Sequence, residues 1–247
     1  MPVAPDLPEK YYLDNFYFVL NHVAQLYADI INEDERTFYD DFIALSESAQ
    51  CLYARLLSRR GDWFRRDKLA YAEIPDITAA AVELQSQRFL EIYDLQSGGL
   101  PQEDDWLNLF TRQELATAIQ TSTGQKVPTS LRKQELLARF EENSEKLVAG
   151  LPDTEIYCVY GEQELDTFRL LFFGNLYQDF TEFVLRDLGI YRYESYNLNV
   201  ASRWCHQRSD LEAHRLYYAL REEAGDLKDH SAESLCRIAD SLPASEE

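Results

Sequence analysis

From Leu13 onward, apolar side chains return at Phe16, Tyr17, Leu20, Val23, Tyr27 and Ile30, a spacing that predicts an amphipathic helix with one buried stripe. Phe38, Phe42 and Leu45 predict a second helix. Ser46 is placed to cap a third, whose inner face holds Ala49, Leu52, Tyr53, Leu56 and Leu57 and which stops near Gly61. The bulky, polar-interrupted run Trp63-Phe64-Arg65-Arg66 reads as a short strand. Asp76 and Thr78 are the candidate caps of an Ala-rich helix reaching Gln87. Phe89 to Ile92 then alternates like a strand before Gly98, Gly99 and Pro101 break the chain. Helices followed by strand, helix and strand fit a winged-helix arrangement.

A small helical unit follows. Thr111-Arg112-Gln113-Glu114 has the pattern of a capping box, Leu115, Ala118 and Ile119 give that helix its apolar face, and Gly124 ends it. After Pro128, Ser130 is the candidate cap of a second helix through Leu136, Leu137 and Phe140. Ile156 to Tyr160 is an apolar, strand-like run. Phe168, Leu171, Phe172, Leu176, Phe180 and Phe183 continue into Leu185 and Leu188 at helical spacing, Tyr191 to Leu198 looks extended, and Asp210 opens a helix through Leu211, Leu216 and Leu220. The expected organisation is a tail (1–10), a winged-helix-like domain (11–100), a helical pair (101–150), and a linker strand with the first helices of a further scaffold and an acidic tail (151–247).

Thirteen Phe, sixteen Tyr and three Trp, against nine Gly and eight Pro, favour a compact and mainly helical body over a loop-rich one. Charge argues against indiscriminate nucleic-acid binding: 24 Lys and Arg face 44 Asp and Glu, and the net charge of -20 repels a polyphosphate at long range. Any contact with DNA must come from a local basic patch. The cysteines Cys51, Cys158, Cys205 and Cys236 stand apart, with no Cys-x-x-Cys pair, and no apolar run approaches a membrane span. Residues 1–10 lack the apolar core of a secretory signal, so a reducing cytoplasm is expected.

The densest basic feature is Arg55, Arg59, Arg60, Arg65, Arg66 and Lys68, interrupted by Asp62 and Asp67 and carrying Trp63 and Phe64 within it. Such a cluster either is neutralised as a solvated, salt-bridged face or meets an anionic partner, and aromatics inside it can stack on bases. Cys205, His206 and His214 have the wrong spacing for a metal site and lack a fourth ligand, so no metal is expected there. A metal-dependent nuclease centre needs an Asp and, on the next strand, an acid-x-Lys. Pro75-Asp76 and Pro152-Asp153 offer the first half, but the acid-x-Lys candidate, Asp226-Leu227-Lys228, stands far from both in a charged, helical context.

Three stretches together resemble the Fanconi-associated nuclease family. The first is Tyr11-Tyr12-Leu13-Asp14-Asn15-Phe16, with Leu56-Leu57-Ser58-Arg59-Arg60-Gly61-Asp62-Trp63-Phe64 and Lys68-Leu69-Ala70-Tyr71-Ala72-Glu73-Ile74. The second, Leu109 to Phe140, is similar to that family's SAP-type unit: Glu114-Leu115 matches its first helix, and Lys133, Glu135-Leu136 and Arg139-Phe140 match its second. The third runs from Leu171-Phe172-Phe173-Gly174-Asn175-Leu176 through Phe183-Val184-Leu185-Arg186-Asp187-Leu188-Gly189 to Arg208-Ser209-Asp210-Leu211.

The resemblance implies a mainly α chain with short strands: a winged-helix-like domain, a SAP-like helical pair and the start of a helical, TPR-like scaffold. It implies a DNA-binding part of a structure-specific, 5′-flap nuclease of interstrand crosslink repair. The catalytic VRR-NUC domain, with its Mg or Mn, is expected outside this chain, and no cofactor is expected within it. The partner it implies is branched or flapped duplex DNA, with no membrane, and the expected place is the cytoplasm, on the nucleoid when engaged. A nuclease domain, in the remaining part or on a separate chain, would be the second partner. Arg55, Arg59, Arg60, Arg65, Arg66, Lys68, Lys126, Arg132, Lys133 and Arg139 are the expected phosphate contacts, which position a protein without reading sequence. The alternative is an acidic interaction scaffold that docks a basic partner or a separate nuclease domain; a chain active as a nuclease by itself is the third reading.

Overall fold

The computed structural model describes residues 8–97, 99–102, 104–178 and 199–224. The continuation of the helix through Phe180, Phe183, Leu185 and Leu188, the extended stretch at 191–198, Asp226-Leu227-Lys228, Cys236 and the acidic tail lie outside them. The chain forms two compact units, one of residues 44–160 and the other of residues 1–43 with 161–247.

In the second of these, α1 (Tyr11–Leu26) buries Tyr12, Leu13, Phe16, Val19, Leu20 and Val23 as its stripe predicts. Tyr27 and Ile30 reach the core from the turn beyond it, where the amides of Ile30 and Ile31 both donate to the Tyr27 carbonyl. α2 (Glu33–Ala44) opens with a reciprocal cap: the Glu35 amide donates to Asn32 Oδ1 at 2.9 Å and the Asn32 amide to Glu35 Oε2 at 2.8 Å. α7 (Glu162–Phe173) packs on α1 and ends at Gly174, whose φ of 70° is left-handed. The helix expected to open at Asp210 begins two residues earlier and is labelled α8 (Arg208–Ala224); Asp210 caps it by accepting from the amides of His206 and Gln207. Leu211 is fully buried, whereas Leu216 and Tyr217 face outward.

Residues 44–160 hold α3 (Glu47–Leu57), β1 (Trp63–Arg65), α4 (Ile77–Ser86), β2 (Leu90–Asp94), α5 (Arg112–Thr123), α6 (Lys133–Leu147) and β3 (Glu155–Val159). The three strands form one antiparallel sheet in the order β1-β3-β2. Ser46 and Asp76 cap α3 and α4 through the amides of Ala49 and Ala79, while Thr78 lies past the cap, in the first turn of α4. Arg66, expected in the first strand, has already turned into the 3-10 segment Arg66–Lys68.

β3 is the run expected as a linker, and the structure makes it the central strand. Its Ile156, Tyr157 and Cys158 are buried and pair with Arg65, Phe64 and Trp63 on one side and with Tyr93, Ile92 and Glu91 on the other, as a central strand does and a linker does not. The chain from Leu95 to Thr154 is therefore inserted between the two strands that in a winged helix form the wing, and the boundary expected near residue 150 falls inside one compact unit.

The insertion is the helical pair. Thr111 and Glu114 form both halves of the capping box, and Gly124 ends α5 with a left-handed φ of 68°. Ser130 does not cap α6. The helix starts at Lys133, and Glu135 instead reaches back to the Arg132 amide at 2.6 Å. Trp106, Phe110, Leu115, Ala118, Leu136, Phe140 and Ile156 share one core, so the pair and the sheet are packed as a single body.

Candidate nucleic-acid interface

All ten expected phosphate contacts fall within residues 44–160, but the structure gives them three different environments. Arg55 and Arg65 are spoken for. Arg55 extends from α3 and donates through Nε and Nη2 to Glu73 Oε1 at 2.7 and 2.5 Å, with the Glu73 side chain almost buried. Arg65 is 3% exposed. It donates Nε and Nη2 to the two carboxylate oxygens of Asp67 at 2.9 and 2.8 Å and Nη1 to Glu114 at 2.8 Å, and its guanidinium lies 4.5 Å from the Phe110 ring centre. Arg65 shares its face of β1 with Trp63, and both meet the core of the helical pair, whereas Phe64 is buried on the opposite face. Arg65 cannot meet a phosphate without abandoning its two carboxylates, whereas the Arg55 side chain, 28% exposed, is neutralised by Glu73 and would carry less net charge to one.

Burial alone would raise the Asp67 and Glu114 carboxyls. The hydrogen bonds and charge of Arg65, with the Thr111 amide for Glu114, outweigh it and hold both below the usual carboxylate range. Burial likewise works against the Arg65 charge, and the same two carboxylates reverse that effect and raise its pKa.

Lys68 and Arg66 are intermediate. Lys68 is exposed and shares Asp67 at 3.4 Å, a weak surface pair. Arg66 is half-buried, donates to Thr78 Oγ1 at 3.1 Å and to the Leu69 carbonyl at 3.3 Å, and pairs with no carboxylate among the described residues. It borders a cavity of about 390 Å³ lined also by Asp67, Thr78, Asp94, Asp153, Thr154 and Glu155.

The remaining cations are available. Arg59 and Arg60 stand exposed after α3, with Arg59 5.5 Å from the Tyr71 ring that Arg55 also touches. Lys126, Arg132 and Arg139 are exposed on the helical pair, and Lys133 is half-buried with Nζ donating to the Asn108 carbonyl at 2.7 Å. None of these six makes an ion pair among the described residues. The structure brings Arg55 and Arg59 together around Tyr71, and it joins the first basic run to the helical pair through Arg65 and Glu114.

Sequence reasoning missed Arg112. It donates to the carbonyls of Pro128, Thr129 and Leu131 at 3.1, 2.7 and 2.8 Å and thereby shapes the loop carrying Lys126 and Arg132. Its place inside a capping-box string concealed it. It also missed, in the other unit, the buried Glu35, which takes Arg208 at 2.6 Å and Thr167 at 2.6 Å, and the pair Arg203 with Asp29 at 2.6 Å. Burial would raise Glu35, but these donors and the Asn32 amide bring it below its ordinary value. Asn32-Glu35 spacing was the signal available for it.

Among the described residues no three His, Cys, Asp or Glu side chains converge as a metal site requires. Cys205 is buried with its Sγ near the Gln207 carbonyl, while the His214 ring packs at a tilt of 56° against Trp204. No helix among them is long and apolar enough to cross a membrane.

Comparison with known proteins adds to this geometry. Residues 10–91 match the family model described as the FAN1 HTH domain. The chain is 38% identical over 235 residues to a Fanconi-associated nuclease 1 homolog of Pseudomonas aeruginosa, covering 90% of this chain and 40% of that protein. It is 26% identical over 213 residues to the Oryza sativa homolog, covering 81% and 22%, and 32% identical over 114 residues to the human protein, covering 45% and 11%. Its fold matches the crystal structure of paFAN1 bound to 2-nt 5′-flap DNA with a gap, with a TM-score of 0.77, 34% identity, and coverage of 97% of this chain and 42% of that one. A second complex, with a 1-nt 5′ flap, matches with a TM-score of 0.75 and 31% identity. The chain thus spans about two fifths of the bacterial relative's length.

Proposed function

The chain belongs, by sequence and fold, with the N-terminal region of the Fanconi-associated nucleases, and from that kinship we propose that residues 44–160 hold flapped duplex DNA for a nuclease. The observation that carries the reading is a set of cations, unpaired among the described residues, on both halves of one compact unit: Arg59, Arg60 and Arg66 on the winged-helix side and Lys126, Arg132, Lys133 and Arg139 on the SAP-like pair. Charge distribution supports it. Residues 44–160 carry 13 Lys and Arg against 18 Asp and Glu, so most of the acidic excess of the -20 chain lies elsewhere. Phosphate contacts fix register on the backbone, so selectivity on this reading is for DNA shape.

In the whole enzyme the cleavage would fall to a VRR-NUC hydrolase domain with Mg or Mn, acting in interstrand crosslink repair in the cytoplasm. The described residues here do not form a metal site, and no catalytic step is assigned to them. A second reading, an acidic scaffold docking a basic partner, draws on the charge outside residues 44–160 and on the neutralised Arg55 and Arg65.

The test is charge reversal. Arg59→Glu, Arg60→Glu and Arg66→Glu together should weaken binding of a 5′-flapped duplex and flatten its log-log salt dependence by roughly one unit for each cation that had gripped a phosphate. The weakening should be alike for different base sequences of one shape. Unchanged affinity and slope would transfer the weight to the scaffold reading.

A further inference from the structure

We propose that Arg65 is a positioning residue for DNA engagement: without touching DNA, it fixes the helical pair on the sheet in the orientation that lets both sets of cations serve one branched duplex. The inference rests on the DNA-binding reading above.

One guanidinium ties four segments. Arg65 ends β1, Asp67 sits in the 3-10 turn that presents Arg66 and Lys68, and Glu114 stands in the first turn of α5. Asp67 also reaches the chain entering β3, its amide donating to Thr154 Oγ1 at 3.3 Å and its Oδ1 accepting from that hydroxyl at 3.2 Å. Glu114 is itself pinned, since its other oxygen accepts the Thr111 amide at 2.7 Å within the capping box. The order Lys68, Asp67, Arg65, Glu114, Thr111 is therefore an unbroken chain of polar contacts from the basic turn to the start of the helical pair.

The chemistry suits orientation better than cohesion. Apolar packing around Phe110 and Trp106 already holds the pair to the sheet, and an ion triad with a buried Arg65 between two partly exposed carboxylates adds little net stability over apolar side chains of similar volume. What it adds is a fixed angle: the planar fork meets two carboxylates in one geometry, which the single ammonium of Lys cannot reproduce. The insertion of the pair at the wing position gives that angle its consequence, because the pair's cations approach DNA from wherever the sheet directs them.

The experiment compares the full chain as wild type, Arg65→Lys, Glu114→Gln and Arg66→Met, on a 5′-flapped duplex and an unbranched duplex of equal length across a salt series, with circular dichroism to establish folding. Both Arg65→Lys and Glu114→Gln should lower the flap-to-linear affinity ratio about fivefold, the scale of coupling within one ion-pair network. They should do so with the salt slope retained. Arg66→Met should instead reduce the slope by about one and keep the ratio. Glu114→Gln decides alone if Arg65→Lys does not fold. The inference is overturned by an unchanged ratio, by a wild type that binds both duplexes equally, or by a slope reduced by one in Arg65→Lys, which would mark a phosphate contact. Wild type that binds neither duplex at low salt defeats the DNA-binding reading itself.

Discussion

Replacing Glu35 with Gln keeps the size of a buried side chain and removes its charge. In the native unit its Oε2 accepts Arg208 Nη1 at 2.6 Å and the Asn32 amide at 2.8 Å, its Oε1 accepts Thr167 at 2.6 Å, and Arg215 lies 3.6 Å away while also bonding Thr167. An amide offers one acceptor oxygen, so its NH2 either faces Arg208 and the Asn32 amide or takes the Oε1 place beside the Arg215 guanidinium, where the Thr167 hydroxyl must turn to the Gln163 carbonyl to accept it. Removing a charge-assisted bond and leaving a buried donor unsatisfied together cost about 3 kcal/mol. The figure stays below that of a fully buried pair because Arg208 is about a third exposed and keeps Glu212 at 2.6 Å. For a chain of this length the unfolding midpoint should fall by roughly 6–12 °C at neutral pH.

The sign of the pH effect is fixed by the lowered Glu35 pKa. Ionised Glu35 favours the folded state, so its stabilisation is complete above the unfolded value near ~4.3 and disappears as pH falls through the lower folded value. The wild-type and Glu35→Gln midpoints should therefore converge in acid. Hydrogen exchange should also show the weakening in the first half of α8, where Arg208 and Arg215 attach. Glu212→Gln, removing a surface pair, should cost less than about 0.5 kcal/mol. Equal midpoints at neutral pH, or a gap of constant size down to pH values where carboxylates are protonated, would refute the reasoning.

Other substitutions probe the helical pair. A Cβ on Gly150 would lie 2.6 Å from the Ala118 carbonyl oxygen and 2.7 Å from its Cα, so Gly150→Ala should cost about 1–3 kcal/mol in urea unfolding by prising α5 from the following turn. Thr111→Ala removes the side-chain half of the α5 capping box and should cost about 1 kcal/mol, again by urea unfolding. Because Asp67 and Glu114 are held below their ordinary values, wild-type stability should fall as pH drops below about 4, and Arg65→Met should flatten that acid limb in a pH series of melts.

Helix positions were legible where a cap and a stripe coincide, as at Ser46, Asp76 and Thr111. Caps supplied from inside the helix blurred the starts: Glu135 and Asp210 reach back to amides, so Ser130 was read as the cap of α6 and Asp210 as the opening of a helix that begins at Arg208. The strand at Ile156 to Val159 was legible as a strand, but its central place was not, because partners as far away in sequence as Trp63 for Cys158 and Asp94 for Glu155 leave no local trace. The basic run was legible as charge alone. Whether an arginine meets solvent or a carboxylate depends on alternation in a strand of three residues and on partners such as Glu114, distant in sequence.

The most direct measurement is the affinity of the wild-type chain for a 5′-flapped duplex between roughly 50 and 200 mM salt. Arg59, Arg60, Lys126, Arg132 and Arg139 are exposed and make no ion pair among the described residues. Engagement of about four of them gives a slope near ~-3.6 in log affinity against log salt, roughly a hundredfold weakening over that range. A linear fall of that size is the result expected; absent binding at the low-salt end, or binding indifferent to salt, would contradict a phosphate-gripping role for residues 44–160.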